Sequence, residues 1–243
     1  MEPVRIAMWS GPRNISTAMM RAFENRPDAV VVDEPLYGFY LERTGLPHPG
    51  AERIIAHEET DWRRVAERLT GPVPAGASVF YQKHMAHHLL PEVERAWLWD
   101  LRHAFLLRDP REMLLSLSKV TPHPRPEDTG LPQQVELFDE IERRGGRKPP
   151  VLDAKDVLEA PEALLRALCE RLDLAFDEAM LHWPEGRRDS DGCWAEYWYD
   201  SVERTTGFQD WRPRTGTLPT ELEPVLAACR PHYERLHAER LTA

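Results

Sequence analysis

Residues 4–9 (VRIAMW) form a short apolar run that reads as a buried strand. A turn-like cluster, Ser10-Gly11-Pro12-Arg13-Asn14, follows it. Over residues 15–25 apolar residues fall at Ile15, Ala18, Met19, Ala22 and Phe23, the spacing of one helix face. Residues 29–33 (AVVVD) read as a second buried strand, so the chain opens as strand, turn, helix, strand. The same patterning predicts strands at 79–84, 103–109 and 151–154, and helices at 61–70, 110–119, 131–144, 161–172 and 218–240. Pro110 suits the first turn of its helix, Gly145-Gly146 ends the helix at 131–144, and residues 121–132, with four prolines, read as a loop. Residues 183–211 are rich in aromatic side chains and poor in periodicity.

Strands alternating with helices predict an α/β fold, a three-layer α/β/α sandwich around a mostly parallel sheet. There is no internal repeat, and neither the proline-rich loop nor the glycine pair separates two self-sufficient cores. The expectation is one domain over residues 1–243, with the aromatic-rich segment 183–215 as a lid or substrate wall. A length of 243 residues is enough to bury a full core, and 42% hydrophobic with 30% charged residues is a globular composition. The net charge of -10 ranks a non-specific nucleic-acid binder low, so an anion would need a local site of backbone N–H groups and a few Arg or Lys. The three cysteines, Cys169, Cys193 and Cys229, lack any CxxC spacing, which fits a reducing cytoplasm and argues against a disulfide framework. The N-terminal residues do not read as a signal peptide, and no apolar stretch approaches the roughly 18–20 residues of a membrane helix, so the expectation is a cytoplasmic protein without membrane insertion.

The first strand runs straight into SGPRNIST and a helix. A helix N-terminus offers free N–H donors and the positive end of a dipole, a good seat for phosphate or sulfate. Ser16 and Thr17 fall in the first helical turn, and Arg13 can fork onto two anionic oxygens. The ordinary ATP signature GxxxxGK[ST] is absent. The bland alternative is that Ser10 or Asn14 caps the helix and Arg13 is a solvated surface residue. After the fourth strand, Arg108 precedes Ser116 by eight positions, so the helix between them can bring both to one phosphate. Alternatively Arg108 pairs with Asp109 or Asp33, and Ser116 is a small buried residue.

Together these two segments resemble the sulfotransferase superfamily, whose donor is 3'-phosphoadenosine 5'-phosphosulfate (PAPS). SGPRNISTA (residues 10–18) is similar to that family's strand–loop–helix, a P-loop NTPase-like feature, and Arg108-DPREMLL-Ser116 to its Arg–Ser pair. The resemblance implies that Gly11, Pro12, Arg13, Asn14, Ile15, Ser16 and Thr17 cradle the 5' end of the nucleotide, while Arg108 and Ser116 hold its 3'-phosphate. Residues 152–176 and 192–208 are similar to segments of bacterial and plant members, some of which carry a branched-chain aminotransferase-like label. None of the usual pyridoxal-phosphate features is evident in this chain. One departure stands out: many members have Gly two residues after the basic residue of the first loop, where this chain has Ile15.

The activity implied is transfer of a sulfuryl group from PAPS to a hydroxyl or amine of a small-molecule acceptor, releasing the 3',5'-bisphosphate (PAP), with no metal. In-line displacement needs a base for the acceptor proton and charges to neutralise the leaving phosphate. His84, in YQKHMAHHLLP, aligns with a family KTH-type segment, and Glu34, in VVDEPLYGFY, occupies a place where some bacterial members carry a glutamate base. Lys83 either helps to neutralise the bridging oxygen or is a strand residue facing solvent. His84, His87 and His88 invite a metal reading, but a strand-to-helix junction breaks the ligand geometry. Trp194, Tyr197, Trp198 and Tyr199 read as an acceptor wall, an adenine stack or lid packing. Arg204 with Thr205 and Thr206, or Arg212 and Arg214, are candidates for further 3'-phosphate contacts. The rival readings are a P-loop-type small-molecule kinase and a non-catalytic nucleotide-binding member of the fold. The acceptor's identity and the oligomeric state, a homodimer among the options, stay open.

Overall fold

The structure is a computed structural model that describes residues 2–144 and 147–243. In chain order the elements are β1 (Val4–Ser10), α1 (Ser16–Glu24), β2 (Ala29–Asp33), α2 (Tyr37–Thr44), α3 (Ala51–His57), α4 (Trp62–Thr70), β3 (Val79–Met85) and β4 (Arg102–Leu107). Then follow α5 (Pro110–Leu117), α6 (Leu131–Arg143), β5 (Val151–Asp153), α7 (Ala154–Glu159), α8 (Pro161–Arg171), α9 (Ala195–Trp198), α10 (Asp200–Glu203) and α11 (Glu223–His237). The five strands pair in the order β2-β3-β1-β4-β5, and every pairing is parallel.

β3, β5 and most of β1 and β4 are buried on both faces, as parallel strands flanked by helices must be. β2, expected to be a buried strand, lies at the sheet edge and is only half-buried from Ala29 to Val32. Along β1, Ile6 and Met8 join one core with α1 and α8, whereas Ala7 and Trp9 join the other with α4, α6 and α11. This alternation gives three layers, helices on both sides of one sheet. The loop after β1 passes so close to the start of α6 that a Cβ on Gly11 would lie 2.2 Å from the Thr129 carbonyl oxygen. Glycine is therefore demanded there by backbone approach.

Several elements depart from the patterning. In α2 five successive residues, Tyr37 to Leu41, are buried, so no helical stripe shows in the sequence. The short helices α3, α7, α9 and α10 likewise span too few turns to display one. The last helix stops at His237, because Arg240 bridges to Val151 beside the sheet edge. The proline-rich loop includes a 3-10 turn at Pro126–Thr129. Gly145 and Gly146, expected to end α6, lie outside the described residues. Among the described residues no helix is long and apolar enough to cross a membrane.

Candidate active site

In an open parallel sheet, ligands bind beyond the carboxyl ends of the strands. Here a cleft of about 1280 Å³ sits at those ends. Arg13 follows β1, Glu34 follows β2, Lys83 lies two residues before the end of β3 and Arg108 follows β4, and all four line it. Among the described residues four non-glycine positions have positive φ: Arg13 (56°), Glu34 (39°), His123 (53°) and Asp173 (52°). The first three of them line the cleft, where strained backbone tends to concentrate.

One end of the cleft is cationic. Pro12, Arg13, Asn14, Ile15, Ser16 and Thr17 line it, whereas Gly11 does not and acts through packing. Asn14 ties the loop to β4 through Nδ2 to the Leu106 carbonyl (3.0 Å), and its Oδ1 accepts from the Ile15 N–H (2.8 Å). The N-cap of α1 is Ile15, with no side-chain cap, so the first-turn N–H groups have no competing partner from that cap. Neither Ser10 nor Asn14 caps the helix: the Ser10 hydroxyl donates to the His84 carbonyl instead. The backbone of Ile15 (φ -93°, ψ 21°) needs no glycine, so its departure from the family pattern does not distort the turn.

Arg13 Nε donates to Ser116 Oγ (3.0 Å), and Arg108 Nη1 donates to the Arg13 carbonyl (2.6 Å). The first loop and the Arg–Ser pair are thus one unit. Arg108 is braced by Glu112 (3.1 Å), not by Asp109 or Asp33. Burial, then the neighbouring charges of Arg214 and Arg108, lower the Arg13 pKa, and burial and Arg108 lower that of Arg214. Three like charges held this close call for an anion. Arg212 and Arg214 line the cleft, as does Thr205, but Arg204 and Thr206 do not.

The other end holds a buried charge network. Lys83 is 1% exposed rather than solvent-facing, because Tyr81 and Lys83 share the α1 side of β3. Its Nζ donates to Asp33 Oδ1 (2.8 Å), Glu34 Oε1 (2.5 Å) and Tyr199 OH (2.8 Å), which occupies all three of its hydrogens. Asp33 is the direct register partner of Lys83 across β2 and β3. Its Oδ2 accepts from Tyr199 OH (2.6 Å) and from the Gly192 N–H (3.2 Å). Burial would lower the Lys83 pKa, but Asp33 and Glu34 outweigh it and hold the ammonium charged. Burial raises the Glu34 pKa, Lys83 opposes the rise and Asp33 adds to it. His88 Nδ1, buried and without a partner, lies 3.9 Å from Glu34 Oε2.

His84 requires a correction. Its place in β3 sends it to the opposite face from Lys83, where it is 1% exposed and stacked on its register partner Trp9 (4.4 Å between ring centres). It does not line the cleft, and Nε2 meets Gln82 Oε1 (3.2 Å). Burial, then His103, pushes its pKa down to about 3. The sequence reading missed the coupling of Asp33, Lys83 and Tyr199. The run VFYQKH carries no alternation that marks which side Lys83 faces; in the structure it continues the side of the buried Val79 and Tyr81. Among the described residues no group of three or more His, Cys, Asp or Glu is placed to hold a metal ion.

An all-parallel sheet of this order, with a basic turn leading from its first strand into α1, defines a P-loop NTPase-like α/β protein. The chain belongs to the sulfotransferase domain family, whose model matches residues 4–240. It is 32% identical over 231 residues to the Branched-chain-amino-acid aminotransferase-like protein 2 of Arabidopsis thaliana, covering 95% of this chain and 41% of that protein. It is 33% identical over 238 residues to the corresponding protein 1, covering 98% and 42%. The chain therefore spans about two fifths of the length of these curated relatives. In fold it is similar to the crystal structure of a sulfotransferase from Alicyclobacillus acidocaldarius, with a TM-score of 0.54 and 12% identity, covering 98% of this chain and 96% of that one.

Proposed function

We propose that the protein transfers a sulfuryl group from PAPS to a hydroxyl of a small-molecule acceptor. The observation that carries this reading is one cleft with opposite ends: Arg13, Arg108 and Arg214 at one, the Glu34–Lys83–Asp33 set at the other. A volume of about 1280 Å³ exceeds the roughly 300–1,000 Å³ of single-ligand pockets and accommodates a nucleotide and an acceptor together.

In this reading the first turn of α1, with Ser16, Thr17 and Arg13, holds the phosphosulfate, and Arg108, Ser116 and Arg214 hold the 3'-phosphate. The acceptor oxygen attacks sulfur, the bond from sulfur to the bridging phosphate oxygen breaks, and the pair of electrons leaves with PAP. Glu34 receives the acceptor proton. A carboxylate whose pKa burial has raised is the better proton acceptor near neutrality. Lys83 fixes Glu34 and, with its three hydrogens spent, does not serve the leaving group. The kinase alternative loses its support here, because Asp33, the carboxylate it would assign to magnesium, is engaged through both oxygens.

Thermal-shift titration with PAP, ADP, ATP with magnesium, and sulfate tests the proposal. Ligand at a hundred times its dissociation constant adds about 2.7 kcal/mol. At roughly 2–4 °C per kcal/mol for a chain of this size, PAP is expected to give a shift of several degrees that ADP does not match. A larger shift with ATP and magnesium would overturn the assignment.

A further inference from the structure

The end of the cleft that holds Glu34 has a wall of its own. His88 is sandwiched between Tyr37 and Tyr40, with ring centres 4.6 and 4.5 Å away and interplanar angles of 11° and 27°. All three residues line the cleft, together with Leu41, Leu46 and Leu90. Among the described residues the large hydrophobic side chains most open to solvent are Leu46 (39%), Val120 (43%) and Tyr197 (39%), and the first two of these line this same cleft. Apolar surface left open at a cavity rim, instead of scattered over the exterior, marks a binding surface.

The charges at this end point the same way. Lys83 spends every hydrogen on Asp33, Glu34 and Tyr199, and the other cation here, Arg125, is paired with Asp128 (3.3 Å). Glu34, Glu127 and Asp128 all line the cleft as carboxylates. Burial, then the neighbouring His87 and Lys83, keeps His88 well below the ordinary histidine pKa, so it is a neutral ring near pH 7. Among the described residues this end offers no unpaired positive charge to an anionic acceptor, in contrast to the arginines at the donor end.

We propose that the acceptor is an uncharged, largely apolar alcohol or phenol, its body packed along the Tyr37–His88–Tyr40 stack and Leu46 and its hydroxyl at Glu34, and that acceptors bearing a carboxylate are rejected. The inference rests on the sulfuryl-transfer reading and narrows it. The aromatic side chains and leucines bind apolar area, and the carboxylates repel anions.

The test is calorimetric titration of the full chain, saturated with PAP, with four probes: naphthol, cyclohexylethanol, hydroxynaphthoate and glucose. At least one of the two neutral alcohols is expected to bind about tenfold or more tighter than hydroxynaphthoate, and glucose is expected to bind weakest. The tighter of the two neutral probes identifies a phenol or an aliphatic alcohol as the preferred class. Leu46→Glu, at a 39%-exposed position where folding is not at stake, is expected to weaken that probe about tenfold while the PAP shift keeps its size. Equal or tighter binding of hydroxynaphthoate or glucose overturns the inference. So does failure of both neutral alcohols to bind PAP-loaded protein, or an unchanged affinity in Leu46→Glu. Absence of PAP binding in the first place overturns the functional reading, and the inference with it.

Discussion

Lys83 and His84 are consecutive in β3, yet they serve opposite faces of the sheet: Lys83 Nζ lies 2.5 Å from Glu34 Oε1, and the His84 ring stacks 4.4 Å from Trp9. The first belongs to the cleft and the second to the core behind it. Which of two candidate bases can meet a substrate follows from this parity, because one step along a strand exchanges the faces.

Glu34→Gln is expected to keep the fold and PAP binding and to lower kcat by about 10²–10⁴-fold, the usual worth of a general base. The check is steady-state turnover alongside the PAP thermal shift. Turnover within a few-fold of wild type would remove Glu34 from the chemistry.

His84→Gln should leave turnover within a few-fold of wild type and change the acid stability instead. His84 is held neutral down to about pH 3, whereas an unfolded histidine protonates near 6.5, so the unfolded state binds the extra proton between those values. This residue therefore costs stability as pH falls through that window, about 2 kcal/mol at pH 5. Thermal unfolding at pH 7 and pH 5 should show a loss that is smaller in His84→Gln by about 4–8 °C.

Lys83→Met leaves Asp33 and Glu34 buried side by side without their cation. Removing one member of a buried charge set costs about 3–5 kcal/mol, a fall of roughly 6–20 °C in Tm at neutral pH. Asp33→Asn in the same background removes one of the two carboxylates and is expected to recover part of it. Additive losses in the double variant would show that the three groups do not act as one network.

Arg108→Ala is expected to lower PAP affinity by about 10–100-fold and ADP affinity much less, since a charged hydrogen bond is worth roughly 1.5–3 kcal/mol. Titration of both nucleotides reads the difference. A PAP-to-ADP preference that survives the substitution places the 3'-phosphate elsewhere.

Gly11→Ala tests the close approach of the first loop to Thr129. A Cβ 2.2 Å from a backbone oxygen forces the loop or the start of α6 to move, and a loss of about 1–3 kcal/mol is expected by thermal or denaturant unfolding. An unchanged midpoint would mean that this contact yields freely.

The five strands, α1, α4 to α6 and α8 were legible in the sequence, as was the grouping of Pro12 to Thr17 with Arg108 and Ser116, which line one cleft. Local periodicity marks an element wherever one face is buried, and a basic turn before a helix is a local feature too. The α2 helix escaped because nearly all of it is buried, and a helix covered all round shows no stripe. Only the tertiary structure decided that β1 lies between β3 and β4, which brings Arg13 to Ser116 across 103 residues. It also decided that Tyr199 and Gly192, remote in the chain, complete the coordination of Asp33, and that His84 turns away. Strand order and the facing of a fully buried strand depend on which partners cover each side, and β3, buried at every position from Val79 to Met85, carries no alternation to declare them.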